Sequence, residues 1–109
     1  MPTRLKFVKI VSKEEFDVIS RSGNVVVDFY ADWCGPCKLL GPVLEKISKS
    51  YPDITFIKVN VDDNEQLAVD FGILSIPAVF MLKDGKPVNK FVGSLPESRI
   101  VNILEETFK

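Results

Sequence analysis

The run Asn24-Val25-Val26-Val27-Asp28-Phe29-Tyr30 limits what this chain can fold into more than any other stretch. A strand with one wet face alternates apolar and polar side chains, whereas a continuous β-branched and aromatic run suits a strand covered on both faces. Such a strand needs helices on both sides of its sheet. Asp28, a carboxylate inside that run, requires an explanation of its own.

The flanking segments supply the helices. Leu5 to Val11 alternates apolar residues with lysines at 6 and 9, a strand with two different faces that belongs at or near a sheet edge. Ser12 with Glu15 makes a capping box for a short helix carrying Phe16 and Ile19, which stops near Ser22-Gly23. From Cys34 onward, Leu40, Val43, Leu44, Ile47 and Tyr51 share one face of a long helix that Pro42 is expected to kink. Ile54 to Val61 reads as a third strand. Asp62-Asp63-Asn64-Glu65 then offers N-caps for a helix that buries Leu67, Ala68 and Phe71 and stops at Gly72, and a solvated helix start accounts for the acidic cluster without a ligand. Ala78 to Leu82 and Val88 to Val92 enclose Lys83-Asp84-Gly85-Lys86, whose Asp-Gly pair signals a hairpin. Ser94 with Glu97 suggests a second capping box, opening a terminal helix with Ile100, Ile103, Leu104 and Phe108 inward. This order implies right-handed parallel crossovers plus an antiparallel hairpin. The expected fold is α/β, with a central mixed five-stranded sheet flanked by four helices.

At 109 residues the chain is the size of one domain, read as residues 1–109 without repeats or linkers, and it can bury about two-thirds of its surface without staples. Fourteen Lys and Arg against 15 Asp and Glu leave a net charge of −1, so no basic field exists to hold nucleic acid. The sequence has no apolar run long enough for a membrane span, and Met1 to Lys6 holds no apolar signal core. The expectation is a cytoplasmic protein with no membrane partner, or a mitochondrial or other organellar one if a targeting peptide has been removed. Histidine is absent, which removes the commonest general base and zinc ligand and leaves proton chemistry to carboxylates, lysines and thiols.

The only two cysteines stand in Cys34-Gly35-Pro36-Cys37, where the buried strand hands over to the long helix. First-turn amides lack intrahelical partners and the helix dipole is positive there, so Cys34 is expected to ionise below the ~8.5 of a free thiol and act as a nucleophile. Two intervening residues bring Cys37 close enough to attack a mixed disulfide on Cys34. Gly35 is read as allowing the tight turn, and Pro36 fixes φ where no N–H is needed. A structural staple is disfavoured because so short a loop removes little unfolded-chain entropy. A zinc site would need ligands from a second molecule, so no metal is expected. Redox chemistry is the favoured reading, because the motif follows a strand in a βαβ pattern.

The stretch Val27-Asp28-Phe29-Tyr30-Ala31-Asp32-Trp33-Cys34-Gly35-Pro36-Cys37-Lys38 resembles the active-site segment of thioredoxins. The resemblance runs along essentially the whole chain, through Pro42, Lys58, Ser75-Ile76-Pro77 and Gly93, and the order of elements is that of the thioredoxin fold. It implies that Cys34 is the nucleophile and Cys37 the resolving thiol of a reducible Cys34–Cys37 disulfide, with Gly35 and Pro36 tuning it. Asp28 matches the family's buried carboxylate, a proton relay for the second cysteine with a raised pKa; the alternative is an exposed Asp at a strand end. Lys58 matches the lysine near that carboxylate; the alternative is a solvent-facing strand lysine. Pro77 matches a cis-proline facing the disulfide, with Ile76 presenting backbone groups to an extended substrate. Trp33, Gly35, Ile76 and Gly93 match the apolar substrate-binding rim. Two positions depart from the family pattern: Tyr30 stands where Trp or Phe is common, and Ala78 follows the proline where Thr is common.

The resemblance implies a protein disulfide reductase that serves electron transport and redox homeostasis as a monomer, recharged by an NADPH-dependent thioredoxin reductase and binding no cofactor. A dedicated binding subunit or redox-sensing partner is the competing reading. An oxidase or isomerase of an oxidising compartment is disfavoured, since Pro36 rather than His stands between the cysteines.

Overall fold

The computed structural model describes residues 7–109. Nine elements follow in order: β1 (Phe7–Ile10), α1 (Lys13–Ser20), β2 (Asn24–Tyr30), α2 (Gly35–Ser48), β3 (Ile54–Asn60), α3 (Glu65–Asp70), β4 (Ala78–Lys83), β5 (Lys86–Val92) and α4 (Glu97–Phe108). They form a five-stranded mixed sheet in the order β1-β3-β2-β4-β5, with β1 on one edge. The first three strands run parallel and β4 and β5 antiparallel to their neighbours. Leu5, Lys6 and the Met1–Arg4 segment lie outside the described residues.

The unbroken apolar run of β2 has the consequence its composition implies, because successive side chains point to opposite faces and both faces are covered. Val25, Val27 and Phe29 pack with Ile57, Val59 and Phe80 against Phe16 of α1 and Leu67 of α3. Val26 packs with Phe56, Val79 and Met81 against Leu40, Leu44 and Ile47 of α2 and Ile100 and Leu104 of α4. Asp28 and Tyr30 share the Val26 face by strand alternation. They therefore lie on the side that α2 covers.

The start of α1 is capped as its sequence predicts, whereas other helix ends differ from their expectation. Ser12 caps α1, accepting from the Glu15 N–H at 3.1 Å while the Glu15 carboxylate reaches back to the Val11 N–H at 2.9 Å. Ser94 and Glu97 form no such box: Pro96 is the cap residue of α4 and no side chain caps it, since Pro96 rather than Ser94 directly precedes the helix. Asn64 likewise precedes α3 without capping it, because its amide turns back to donate to the Asn60 carbonyl at 3.0 Å. In α3 only Leu67 is buried, while Ala68, and Phe71 just after the helix, are half-buried. The long helix continues through Pro42 but ends at Ser48, so Tyr51 lies beyond it and donates to Glu105 of α4 at 2.6 Å.

Candidate active site

Cys34 and Cys37 are joined as a disulfide at the start of α2, with their Cα atoms 5.3 Å apart. Cys34 is the cap residue itself rather than part of the first turn. Its extended backbone lets Sγ accept the Cys37 N–H at 3.2 Å, so sulfur does the work usually done by a Ser or Asp oxygen. Pro36 sits in the first turn, where its missing N–H costs nothing. Gly35 does not have the role expected of it. Its φ is not positive, and a Cβ there would meet no atom within 4 Å, so the turn does not require glycine; the absent side chain leaves open space beside the sulfurs.

Cys34 is only 4% exposed, and its Sγ lies 3.8 Å from the carbonyl oxygen of Ile76, just before the cis Ile76–Pro77 bond. Gly93, at φ 90°, donates its N–H to the Pro77 carbonyl at 2.8 Å, which ties the end of β5 to this loop. Trp33 is 69% exposed, and its indole N–H donates to the Asp62 carboxylate at 2.8 Å. Asp62 thus anchors the Trp33 indole. The sequence signalled it only as part of an acidic cluster assigned to helix capping. Trp33 and Ile76 border a groove of about 350 Å³ whose far wall includes Val69 and the 98% exposed Leu74.

Beneath the disulfide, Asp28, Tyr30, Cys37, Lys38 and Lys58 line a second cavity, of about 440 Å³. The register explains this gathering: Asp28 of β2 pairs with Lys58 of β3 on one side and Val79 of β4 on the other, and α2 lies over them. Asp28 is 2% exposed and its Oδ1 finds no hydrogen-bond partner among the described residues. Burial pushes its carboxyl from 3.8 up to about 7, against a smaller lowering by the Lys58 charge. Lys58 is half-buried, and its ammonium lies over the rings of Phe7 and Tyr30. Burial also raises the Tyr30 phenol, so this group is neutral near pH 7.

A bonded cysteine pair at a helix start, flanked by an apolar groove and set over a buried carboxyl, is suited to thiol–disulfide exchange. The family model described as Thioredoxin matches residues 7–106. The chain belongs to the thioredoxin family. The thioredoxin of Mycoplasmoides gallisepticum is 42% identical over 97 residues, covering 88% of this chain and 97% of that one. The thioredoxin of Chlamydia pneumoniae is 40% identical over 99 residues, 91% of this chain and 97% of its own. Among solved structures, Malassezia sympodialis thioredoxin superposes with a TM-score of 0.88 at 34% identity, covering 98% of this chain and 95% of that one. Plasmodium falciparum thioredoxin gives 0.84 at 37%, covering 91% and 97%. The fold is therefore the thioredoxin fold, and membership of the thioredoxin family makes the chain a thiol–disulfide oxidoreductase.

Proposed function

We propose that this thioredoxin reduces disulfides in other proteins through Cys34 and Cys37. The reading rests above all on the pair's position: Cys34 Sγ takes a backbone N–H at the start of α2 and lies against Ile76, which with Trp33 borders an open apolar groove. In the reduced protein the Cys34 thiolate attacks one sulfur of a substrate disulfide, forming a mixed disulfide and releasing a substrate thiolate that takes up a proton. Cys37 then loses its proton to Asp28, which burial has made a fitting acceptor near neutral pH. The Cys37 thiolate attacks the Cys34 sulfur, expels the second substrate thiolate and leaves the Cys34–Cys37 disulfide. Two electrons have passed to the substrate; its second thiolate takes the proton held by Asp28, and its first takes one from solvent. A thioredoxin reductase drawing on NADPH returns the disulfide to the dithiol.

Trp33, Ile76, Pro77 and Gly93 form the surface that receives an extended substrate segment, Gly35 leaves room for its approach, and Pro36 helps to set the stability of the disulfide. Lys58 acts through its charge on Asp28. Within this reading the protein works as a single domain and a monomer in the cytoplasm, with no cofactor beyond its own disulfide.

The test is insulin-disulfide reduction with dithiothreitol as electron donor. Cys34→Ser is expected to reduce turnover to the uncatalysed rate, and full activity in that variant would sink the assignment. Cys37→Ser is expected to hold substrates as mixed disulfides; many captured proteins fit a general reductase, whereas one dominant partner points to a dedicated subunit.

A further inference from the structure

Lys58 lies on β3, between β1 and β2 in the sheet. Each flanking strand contributes one aromatic ring to it: the ammonium is 5.5 Å from the centre of the Phe7 ring and 5.6 Å from that of Tyr30. Asp28 is its register partner on β2, yet among the described residues the ion pairs within 4.0 Å do not include Asp28–Lys58 and Asp28 Oδ1 has no hydrogen-bond partner. A flexible lysine beside an orphaned carboxyl would ordinarily close that gap. Here two ring faces hold the cation instead, on a half-buried side chain that lines the cavity.

We propose that Phe7 and Tyr30 form an aromatic clamp that holds the Lys58 ammonium beside the Asp28 cavity while keeping it from pairing with the carboxyl. Both rings are then positioning residues for the proton transfer at Asp28, an inference that rests on the relay assigned to Asp28 above. Contact with the ammonium would favour the carboxylate and make Asp28 a poorer proton acceptor for Cys37. The clamp keeps the lysine's influence at the distance of a field. The other groups around Asp28 are Cys37 and Lys38 from α2 and Asp32 from the loop after β2, while β4 contributes the uncharged Val79. Lys9 of β1 pairs in register with Lys58 and acts on Tyr30.

The experiment follows the Asp28 carboxyl by carbon NMR across pH in the full-length oxidised protein, together with the pH profile of insulin reduction. Tyr30→Leu is expected to free the ammonium and move the Asp28 midpoint down by about one pH unit, the lower end of the effect of an adjacent cation. Tyr30→Phe keeps the ring and is expected to leave the midpoint in place. Phe7→Leu, which removes the other ring, is expected to shift it in the same direction as Tyr30→Leu. In a Lys58→Met background Tyr30→Leu is expected to cause no further downward shift, because there is no cation to release. A midpoint that rises or stays fixed in Tyr30→Leu, or a downward shift that persists without Lys58, overturns the clamp. Loss of the relay itself reads differently: the midpoint would move as expected while the pH profile of reduction stayed unchanged.

Discussion

Asp28 shows what one side chain costs and provides. Its carboxyl binds a proton more tightly in the folded protein than in the unfolded chain, so between pH 3.8 and about 7 the folded state carries the extra proton. Stability contributed by this group is present at low pH and lost as pH rises through that window. At 1.36 kcal/mol per unit the loss is at most about 4 kcal/mol. Asp28→Asn is therefore expected to stabilise the protein more at pH 8 than at pH 5, by roughly 1–3 kcal/mol in urea unfolding, and to slow insulin reduction at neutral pH. Equal stabilisation at the two pH values would contradict the assignment. At this scale the sequence made Asp28 conspicuous, as an acid inside an apolar run. It left open whether that acid was buried, because burial depends on α2 lying over it. Gly35 is the converse case: its identity was plain and its expected reason wrong, since backbone angles are not written in a residue name.

Among the elements, the β4–β5 hairpin was the most legible. Asp84 and Gly85 both adopt positive φ, 50° and 85°, as a two-residue turn matching the sheet's twist requires. What the turn touches was not legible. Asp84 accepts the Gly23 N–H at 2.8 Å and donates its own N–H to the Gly23 carbonyl at 2.9 Å, so the turn is docked on the loop before β2. Gly85→Ala is expected to lose about 1–2 kcal/mol from the left-handed conformation alone, read as a lower urea midpoint with insulin reduction unchanged. An unchanged midpoint would mean the turn relaxes freely. The terminal helix teaches the opposite lesson. Ser94 and Glu97 have the spacing of a capping box, but the chain enters α4 through Pro96, and a spacing rule does not see where the first helical residue falls.

For the whole molecule, the central fact is that two cores sit back to back across one sheet. On the α1 and α3 face, Phe29 meets Phe71 at 5.1 Å and Phe80 at 5.7 Å, and Phe71 reaches Phe16 at 5.6 Å. On the other face α2 and α4 cover Val26 and Met81, and the disulfide-bonded cysteine pair rides on the start of α2. Phe29→Ala is expected to cost about 3–5 kcal/mol, because Phe29 is fully buried and packs on the rings of Phe71 and Phe80, which cannot both collapse into the gap. Thermal unfolding checks it; a loss below about 1 kcal/mol would mean that the aromatic cluster repacks.

From the sequence alone came the kinds and order of the elements, the two-sided burial of β2 and the Cys-Gly-Pro-Cys segment at a strand-to-helix junction. These depend on periodicity, capping and turn chemistry, which act over a few residues. Only the tertiary structure decided which residues meet across long separations. It put the Ile76 carbonyl at Cys34, 42 positions away, and the Asp62 carboxylate on the Trp33 indole, 29 positions away. It also set Lys58 between two aromatic rings rather than on Asp28. Those contacts follow from the strand order β1-β3-β2-β4-β5, which no local propensity encodes. That order emerges when the apolar faces of all nine elements are buried at once, since the free energy of burial belongs to the assembled sheet and not to any single strand.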